Sequence, residues 1–427
     1  MHLVLDPWDA VLAFIFAAAV AWTLVPAAEL VAKRIGAIDE PKERGLHDVP
    51  TPKLGGLAIL VAIAGAMLIW LPWDSDTRAI LAGAVVITAV GVIDDIWDLS
   101  ALPKLLGQVG AALIPVLAGL RVDSTTLPFI GQIELGWIAY PATVIGIVAV
   151  INMVNFIDGV DGLASGVCGI SAITFAVIAL SLDRNEAGVL AALTAGASIG
   201  FLRHGFPPAS SFMGDTGSNL LGYMLAVIAV QGALKTNAVV ALALPLLVLA
   251  VPILDTSFVV AKRLKYRRPV YKADAWHLHH RMANIGFAQR RTLAYFYSWT
   301  LVLAMLALAL RFIPYSDDHG HFDPLWTVVM ALLLLGALAT SVYVVETIEI
   351  LKLRRFRLRQ RLGRWVAKPP LPVEAEVDEG VARELETGTY ASVNPDTGET
   401  AAVDPDTGEM EAVPGPTEAE AAPRRQA

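Results

Sequence analysis

Long apolar stretches without a single charge constrain this chain more than any other feature; Ala10–Ala28, Ala238–Leu254 and Leu325–Val345 are the clearest. About 20 residues at about 1.5 Å of helical rise cross the roughly 30 Å hydrocarbon layer of a bilayer. Inside lipid the backbone must satisfy its own polar groups, so such stretches are read as helices. No segment alternates as a membrane barrel strand does. Eleven apolar segments can be placed: Ala10–Ala32, Gly56–Trp73, Ala79–Ile93, Leu102–Leu120, Ile138–Val154, Leu163–Leu182, Ala187–Phe201, Leu220–Leu234, Thr236–Ala261, Leu293–Ile313 and Leu325–Ile348. The expected fold is all-α, a polytopic transmembrane helical bundle of about 11 spans. The first segment lacks the basic lead and small-residue cleavage site of a signal peptide and is read as a retained helix. The 56% hydrophobic content exceeds the roughly 45–50% of soluble chains, in line with this reading.

Charge gives the expected topology. The loops 33–55, 94–104, 155–162, 202–219 and 262–292, with the region after 349 up to Lys368, carry 24 Lys/Arg. The alternate loops and their flanks carry five: Arg78, Arg121, Arg184, Lys235 and Arg311. The positive-inside rule places the first set in the cytoplasm, with the N-terminus outside and the C-terminus inside a plasma membrane. The formal net charge of −8 belongs to the tail, since residues 369–427 hold 14 Asp/Glu against three Lys/Arg. Three regions follow: a membrane domain over 1–350, a basic juxtamembrane segment over 351–368, and an acidic tail over 369–427 whose composition predicts disorder. The tail holds a near-repeat, NPDTGETAAV and DPDTGEMEAV. Cys168 is the only cysteine and lies in an apolar run, where a buried inert thiol is expected.

Five polar clusters fall on loops of the same predicted side. The first, DEPKERGLHDVPTPKLGG from Asp39 to Gly56, brings Arg44, His47 and Lys53 with three prolines that exclude a regular helix. The second is DDIWD, with Asp94, Asp95 and Asp98. On a continuing helix Asp94 and Asp98 would share a face, and such carboxylates repel unless a cation joins them. A hard divalent ion with oxygen ligands suits them, and Lys104 nearby could meet a phosphate. The third, NFIDGVDGLASG, holds Asn155, Asp158 and Asp161 without an EF-hand pattern. The fourth, FMGDTGS, flanks Asp215 with Gly214 and Gly217 and is read as a tight turn between spans. The fifth, HLHHR, holds His277, His279, His280 and Arg281. It lacks the HExxH spacing of zinc enzymes and suits an anion better. Each cluster also has a plainer reading as a solvated or glycine-rich connection. Together they offer carboxylates for Mg²⁺ and cations for phosphate at the membrane–water boundary. That combination suits phosphoryl transfer between a soluble nucleotide-linked donor and a lipid-linked acceptor.

The motifs DDIWD, NFIDGVDGLASG, FMGDTGS and HLHHR, in this order, resemble those of the polyprenyl-phosphate N-acetylhexosamine-1-phosphate transferases, and the resemblance covers roughly residues 10–350. It implies transfer of a sugar 1-phosphate from a UDP-sugar to a polyprenyl phosphate in the bilayer, with release of UMP and a need for Mg²⁺ or Mn²⁺. HLHHR looks like the branch that uses UDP-GlcNAc, because phospho-MurNAc-pentapeptide translocases carry three consecutive histidines and Leu278 interrupts them here. The Ala-rich composition and the tail resemble actinobacterial members with a decaprenyl acceptor. By this resemblance Asp215 and Asn155 would hold the metal, and Asp94 and Asp95 would activate or position the acceptor. Lys104 would bind phosphate, Asp158 and Asp161 would belong to the nucleotide site, and His279, His280 and Arg281, with His277, to the sugar-pyrophosphate loop. Asp255, in PILDT, also matches the family, in either a structural or a catalytic role. Arg44 and His47 would join substrate binding. Another UDP-HexNAc or UDP-MurNAc-pentapeptide is the alternative donor. No nucleic-acid partner is expected, and a homodimer is left open. The rival from another class is an ion-coupled transporter, which would place its carboxylates near the bilayer midplane rather than at segment ends.

Overall fold

A computed structural model of the chain describes residues 5–40, 50–127, 131–233, 246, 248–265, 282, 287–313, 323–337, 339 and 341, and three stretches of the tail, 391–393, 400–403 and 410–412. The chain divides into two compact units, Met1–Glu349 and Ile350–Ala427.

The described residues of the first unit are mainly helical. Its helices are α1 (Pro7–Ile35), α2 (Gly56–Trp70), α3 (Ser75–Trp97), α4 (Ala101–Ala118), α5 (Ala139–Ile157), α6 (Leu163–Leu180), α7 (Asn185–Gly205), α8 (Gly214–Ala233), α9 (Ala250–Lys265), α10 (Gln289–Phe312) and α11 (Pro324–Ala337). Seven described helices are long and apolar enough to cross a membrane: α1, α3, α4, α5 with the short turn before it, α6, α7 and α10. Helices α2 and α11 are apolar but shorter. The chain is therefore a multi-pass helical membrane protein, and the described parts of its apolar segments are mostly helical.

Local chemistry sets the ends of the first helix. Asp6 accepts from the Trp8 N–H at 3.2 Å, and the Asp9 carboxylate accepts from the Asp6 N–H at 2.8 Å. This reciprocal cap, with Pro7 in the first turn, starts α1. Lys33 and Arg34 lie in its last turn, and Gly36 ends it at φ 79°. Along α1, Ala10, Ala13, Ala17, Ala21, Val25 and Ala28 form a buried stripe. Helix α7 packs on it so closely that a Cβ at Gly196 would strike the Phe14 carbonyl, and one at Gly200 the Ala18 carbonyl. Small residues that let backbones approach are the usual means of joining helices in lipid. The other face of α1 exposes Trp8, Leu12, Ile15, Trp22 and Leu30, which suits hydrocarbon and its interface. Helices α3 and α8 meet through Tyr223, whose hydroxyl donates to the Ile80 carbonyl at 3.0 Å in space left by Gly83.

Three features depart from the sequence reading. Helix α8 starts at Gly214, six residues before the expected Leu220, so FMGDTGS is a helix start rather than a turn between spans. Asp98 does not continue the face of Asp94; it takes a left-handed conformation at φ 52° and ends α3. This frees the chain to begin α4 three residues later. A hairpin of β3 (Ser124–Leu127) and β4 (Gly131–Glu134), following the two-residue pairs β1 (Ile38–Asp39) and β2 (Thr51–Pro52), joins α4 to α5. In the second unit, β5 (Ala391–Val393), β6 (Thr400–Val403) and β7 (Met410–Ala412) pair antiparallel in that order. Two of these strands, β6 and β7, fall in the near-repeat.

Candidate active site

The site is built around the first turn of α8. Backbone pairing first fixes the linker before it: Phe212 N–H donates to the Pro52 carbonyl at 2.8 Å, and Gly55 and Gly56 donate to Phe212 and Met213 at 3.0 and 3.1 Å. A Cβ at Gly56 would collide with the backbone of Gly217, and one at Gly91 with Asp215 and Thr216. Gly214 sits at φ 65°, and a Cβ there would meet the Asp95 carboxylate. Glycine is required there by both conformation and space.

Asp95 acts on this turn from another helix. One carboxylate oxygen accepts from the Asp215 N–H at 2.9 Å; the other accepts from the Thr216 N–H at 2.9 Å and the Thr216 hydroxyl at 2.7 Å. These are the unpaired donors at a helix start, normally met by the chain's own preceding Ser, Thr, Asp or Asn. Here α3 supplies the cap, which explains why α8 can begin inside the glycine-rich motif. Asp95, expected among the catalytic groups, thus has both carboxylate oxygens bonded to the turn that carries Asp215.

Its neighbour Asp94 faces the opposite task. One oxygen accepts from the Leu99 N–H at 2.7 Å, and the other pairs with the Lys104 ammonium at 2.9 Å. Lys104, in the first turn of α4, also contacts the Asp215 carboxylate and lies 3.5 Å from the side-chain oxygen of Asn155. Asn155 in turn donates to the second Asp215 oxygen at 2.7 Å and lies 2.9 Å from the Ser218 hydroxyl. The ends of four helices thus bring Asp94, Lys104, Asn155 and Asp215 to one point. One turn deeper lies an amide tier that the sequence reading missed: Gln108 and Asn152 bond each other at 2.7 Å. Asn219 is fully buried four residues beyond Asp215. The signal was present, since Gln108 follows Lys104 by four and Asn152 precedes Asn155 by three, placing each pair on one helix face.

The remaining candidates surround this point. Asp158 ends α5, just outside the membrane span. Burial, with the carboxylates of Asp215, Asp95 and Asp161 nearby, holds its carboxyl well above the ordinary range. Asp161 accepts from the Ala209 N–H at 3.1 Å, tying its loop to the linker before α8. Tyr297 of α10 donates to the Gly162 carbonyl at 2.6 Å and anchors the same loop. Lys53 pairs with Asp39 at 3.2 Å where β1 and β2 meet. Asp255 is buried in α9. Arg44, His47, His277, His279, His280 and Arg281 lie outside the described residues.

Among the described residues, no three His, Cys, Asp or Glu side chains are grouped to hold a metal. The donor set here is two carboxylates and one amide. Oxygens of Asp94, Asp215 and Asn155 converge on a single cation, the Lys104 ammonium. Hard oxygen donors of this kind, few in number and completed by water, fit Mg²⁺ or Mn²⁺ better than a softer ion.

Comparisons with known proteins identify relatives of the chain. A family model described as glycosyl transferase family 4 matches residues 77–233, from α3 to the end of α8. A Bacillus subtilis protein named probable undecaprenyl-phosphate N-acetylglucosaminyl 1-phosphate transferase is 37% identical over 303 residues, covering 70% of this chain and 85% of its own. The decaprenyl-phosphate N-acetylglucosaminephosphotransferase of Mycolicibacterium smegmatis is 33% identical over 354 residues, 76% of this chain and 84% of its own. A phospho-N-acetylmuramoyl-pentapeptide-transferase of Desulforudis audaxviator is 31% identical over 298 residues, 62% and 86%. Motif order, site geometry and these similarities coincide: the chain belongs to glycosyl transferase family 4, among the polyprenyl-phosphate N-acetylhexosamine-1-phosphate transferases.

Proposed function

We propose that this protein transfers GlcNAc-1-phosphate from UDP-GlcNAc to a membrane polyprenyl phosphate, with decaprenyl phosphate as the acceptor, at the cytoplasmic face of the plasma membrane. An acceptor phosphate oxygen attacks the sugar-bearing phosphorus of the donor. The bond to the uridine-side phosphate breaks, UMP leaves, and polyprenyl-diphospho-GlcNAc forms. The observation that carries this reading is the meeting of Asp94, Lys104, Asn155 and Asp215 at one point where α3, α4, α5 and α8 end or begin. Asp215, Asn155 and Asp94 would hold Mg²⁺, which would neutralise the donor pyrophosphate and stabilise the leaving phosphate. Lys104 would bind phosphate. A phosphate monoester is largely ionised near neutral pH, so Asp94 serves better as an orienting group than as a base. Asp158 and Asp161 would border the nucleotide, and His277, His279, His280 and Arg281, with Arg44 and His47, would take part in binding the substrate. Eleven spans, with the N-terminus outside and the C-terminus inside, complete the reading; the charge asymmetry of the loops supports it.

The test is direct. Purified full-length protein, decaprenyl phosphate, Mg²⁺ and radiolabelled UDP-GlcNAc should give a chloroform-soluble labelled lipid and one UMP for each lipid formed. A folded preparation that labels lipid only from UDP-MurNAc-pentapeptide would move the chain to the other branch. No lipid product from any of these donors would overturn the proposal.

A further inference from the structure

The Lys104 ammonium sits where the oxygen donors for a divalent ion converge. Each donor already has its other valence engaged. Asp94 is held through its second oxygen by the Leu99 N–H, and Asp215 through its second oxygen by the Asn155 amide. The Asn155 amide nitrogen is also within 2.9 Å of the Ser218 hydroxyl. Asp95 fixes the backbone of Asp215. What these groups present inward is one oxygen each from Asp94, Asp215 and Asn155, and all three meet the same ammonium. An ammonium and a metal ion cannot share that volume, and two cations there would repel strongly in a half-buried site. Lys104 is also the mobile partner. Its ammonium ends a flexible four-carbon stem on the first turn of α4, so it can leave by rotating its side chain while the helices stay in place.

We propose that Lys104 is an internal placeholder: its ammonium holds the Asp94–Asn155–Asp215 oxygens together in the metal-free protein and leaves them when a divalent ion binds. The proposal rests on the metal site put forward above and adds an exchange to it. It accounts for one residue facing both metal ligands and phosphate. Lys104 keeps like charges from forcing the ligands apart before the metal arrives. Once displaced, it is a free cation beside the place where phosphates are handled.

Mn²⁺ binding to the full-length protein in detergent, read by the electron paramagnetic resonance of free Mn²⁺, tests this without turnover. Lys104→Gln removes the competing charge and should bind Mn²⁺ about tenfold or more tightly than the unaltered protein. Lys104→Arg keeps a cation and should gain no affinity. Asp215→Asn should lose binding in either background. In the unaltered protein, Mn²⁺ should also raise acylation of the Lys104 amine by an amine-reactive reagent, followed by peptide mass spectrometry. Equal or weaker Mn²⁺ affinity in Lys104→Gln, with an unchanged thermal midpoint, overturns the exchange while leaving the metal site standing. Unchanged acylation of Lys104 on adding Mn²⁺ overturns it as well. Absence of Mn²⁺ binding in both the unaltered protein and Lys104→Gln overturns the metal site itself, and the exchange with it.

Discussion

The interface of α1 with α7 and the corner where α3, α4, α5 and α8 meet use the same device for different ends. At both, a glycine lets one backbone press against another: Gly196 and Gly200 against Phe14 and Ala18, Gly91 and Gly56 against the first turn of α8. The first interface is lined on α1 mainly by alanines, and its few polar contacts, such as His204 with the Trp22 carbonyl at 3.0 Å, only tie the helices together. The second delivers Asp215 to a lysine, an amide and a second carboxylate. Close approach is therefore a general method of joining these helices, and chemistry appears where polar side chains stand at the helix ends.

The comparison can be broken at several points. The largest effect is expected at Asp215: Asp215→Asn should lower kcat about 1,000-fold in the lipid-labelling assay, with little change in thermal midpoint. Normal turnover would remove it from the reacting centre. Asp94 and Asp95 should separate next. Asp94→Asn is expected to cut kcat about 100-fold while the protein unfolds at nearly the same temperature. Asp95→Ala, which strips α8 of its cap, should also cost about 1–3 kcal/mol in stability, seen as a lower unfolding midpoint. If the two variants behave alike, the division of labour between these neighbours is wrong. Gly91→Ala should displace the turn bearing Asp215 and reduce kcat about 100-fold. Gly200→Ala should instead destabilise by about 1–3 kcal/mol and leave the kcat of the folded fraction intact. The smallest effect is expected in the amide tier, where Asn152→Ala should lower kcat about tenfold without raising KM for the donor.

Much of this was legible in the sequence because lipid leaves the backbone few options. Apolar segments such as Leu163–Leu182 became helices, and charged residues at segment ends pointed to a site at one end of the bundle. What stayed hidden had several physical causes. Asp95 looked like one more carboxylate of DDIWD because its partners lie about 120 residues away, and no local pattern reveals a cap lent by another helix. The same loan moved the start of α8 back to Gly214, against a motif whose two glycines read as a turn. Asp98 turned out of the expected face because a left-handed residue there lets α3 give way to α4. The hairpin at 124–134 was passed over because its strands are four residues long, too short to stand out beside membrane helices.

The cap that α3 lends to α8 sets an order on biosynthesis. Residues 94–158 emerge from the ribosome well before residue 214, so Asp94 can find Lys104 while Asp95 still has no helix start to hold. Until α8 enters the bundle, the growing chain carries a carboxylate near the end of α3 whose structural partners do not yet exist. Arrival of Gly214–Ser218 satisfies Asp95 and delivers Asp215 in one event, so the late helix cannot dock correctly without also completing the site.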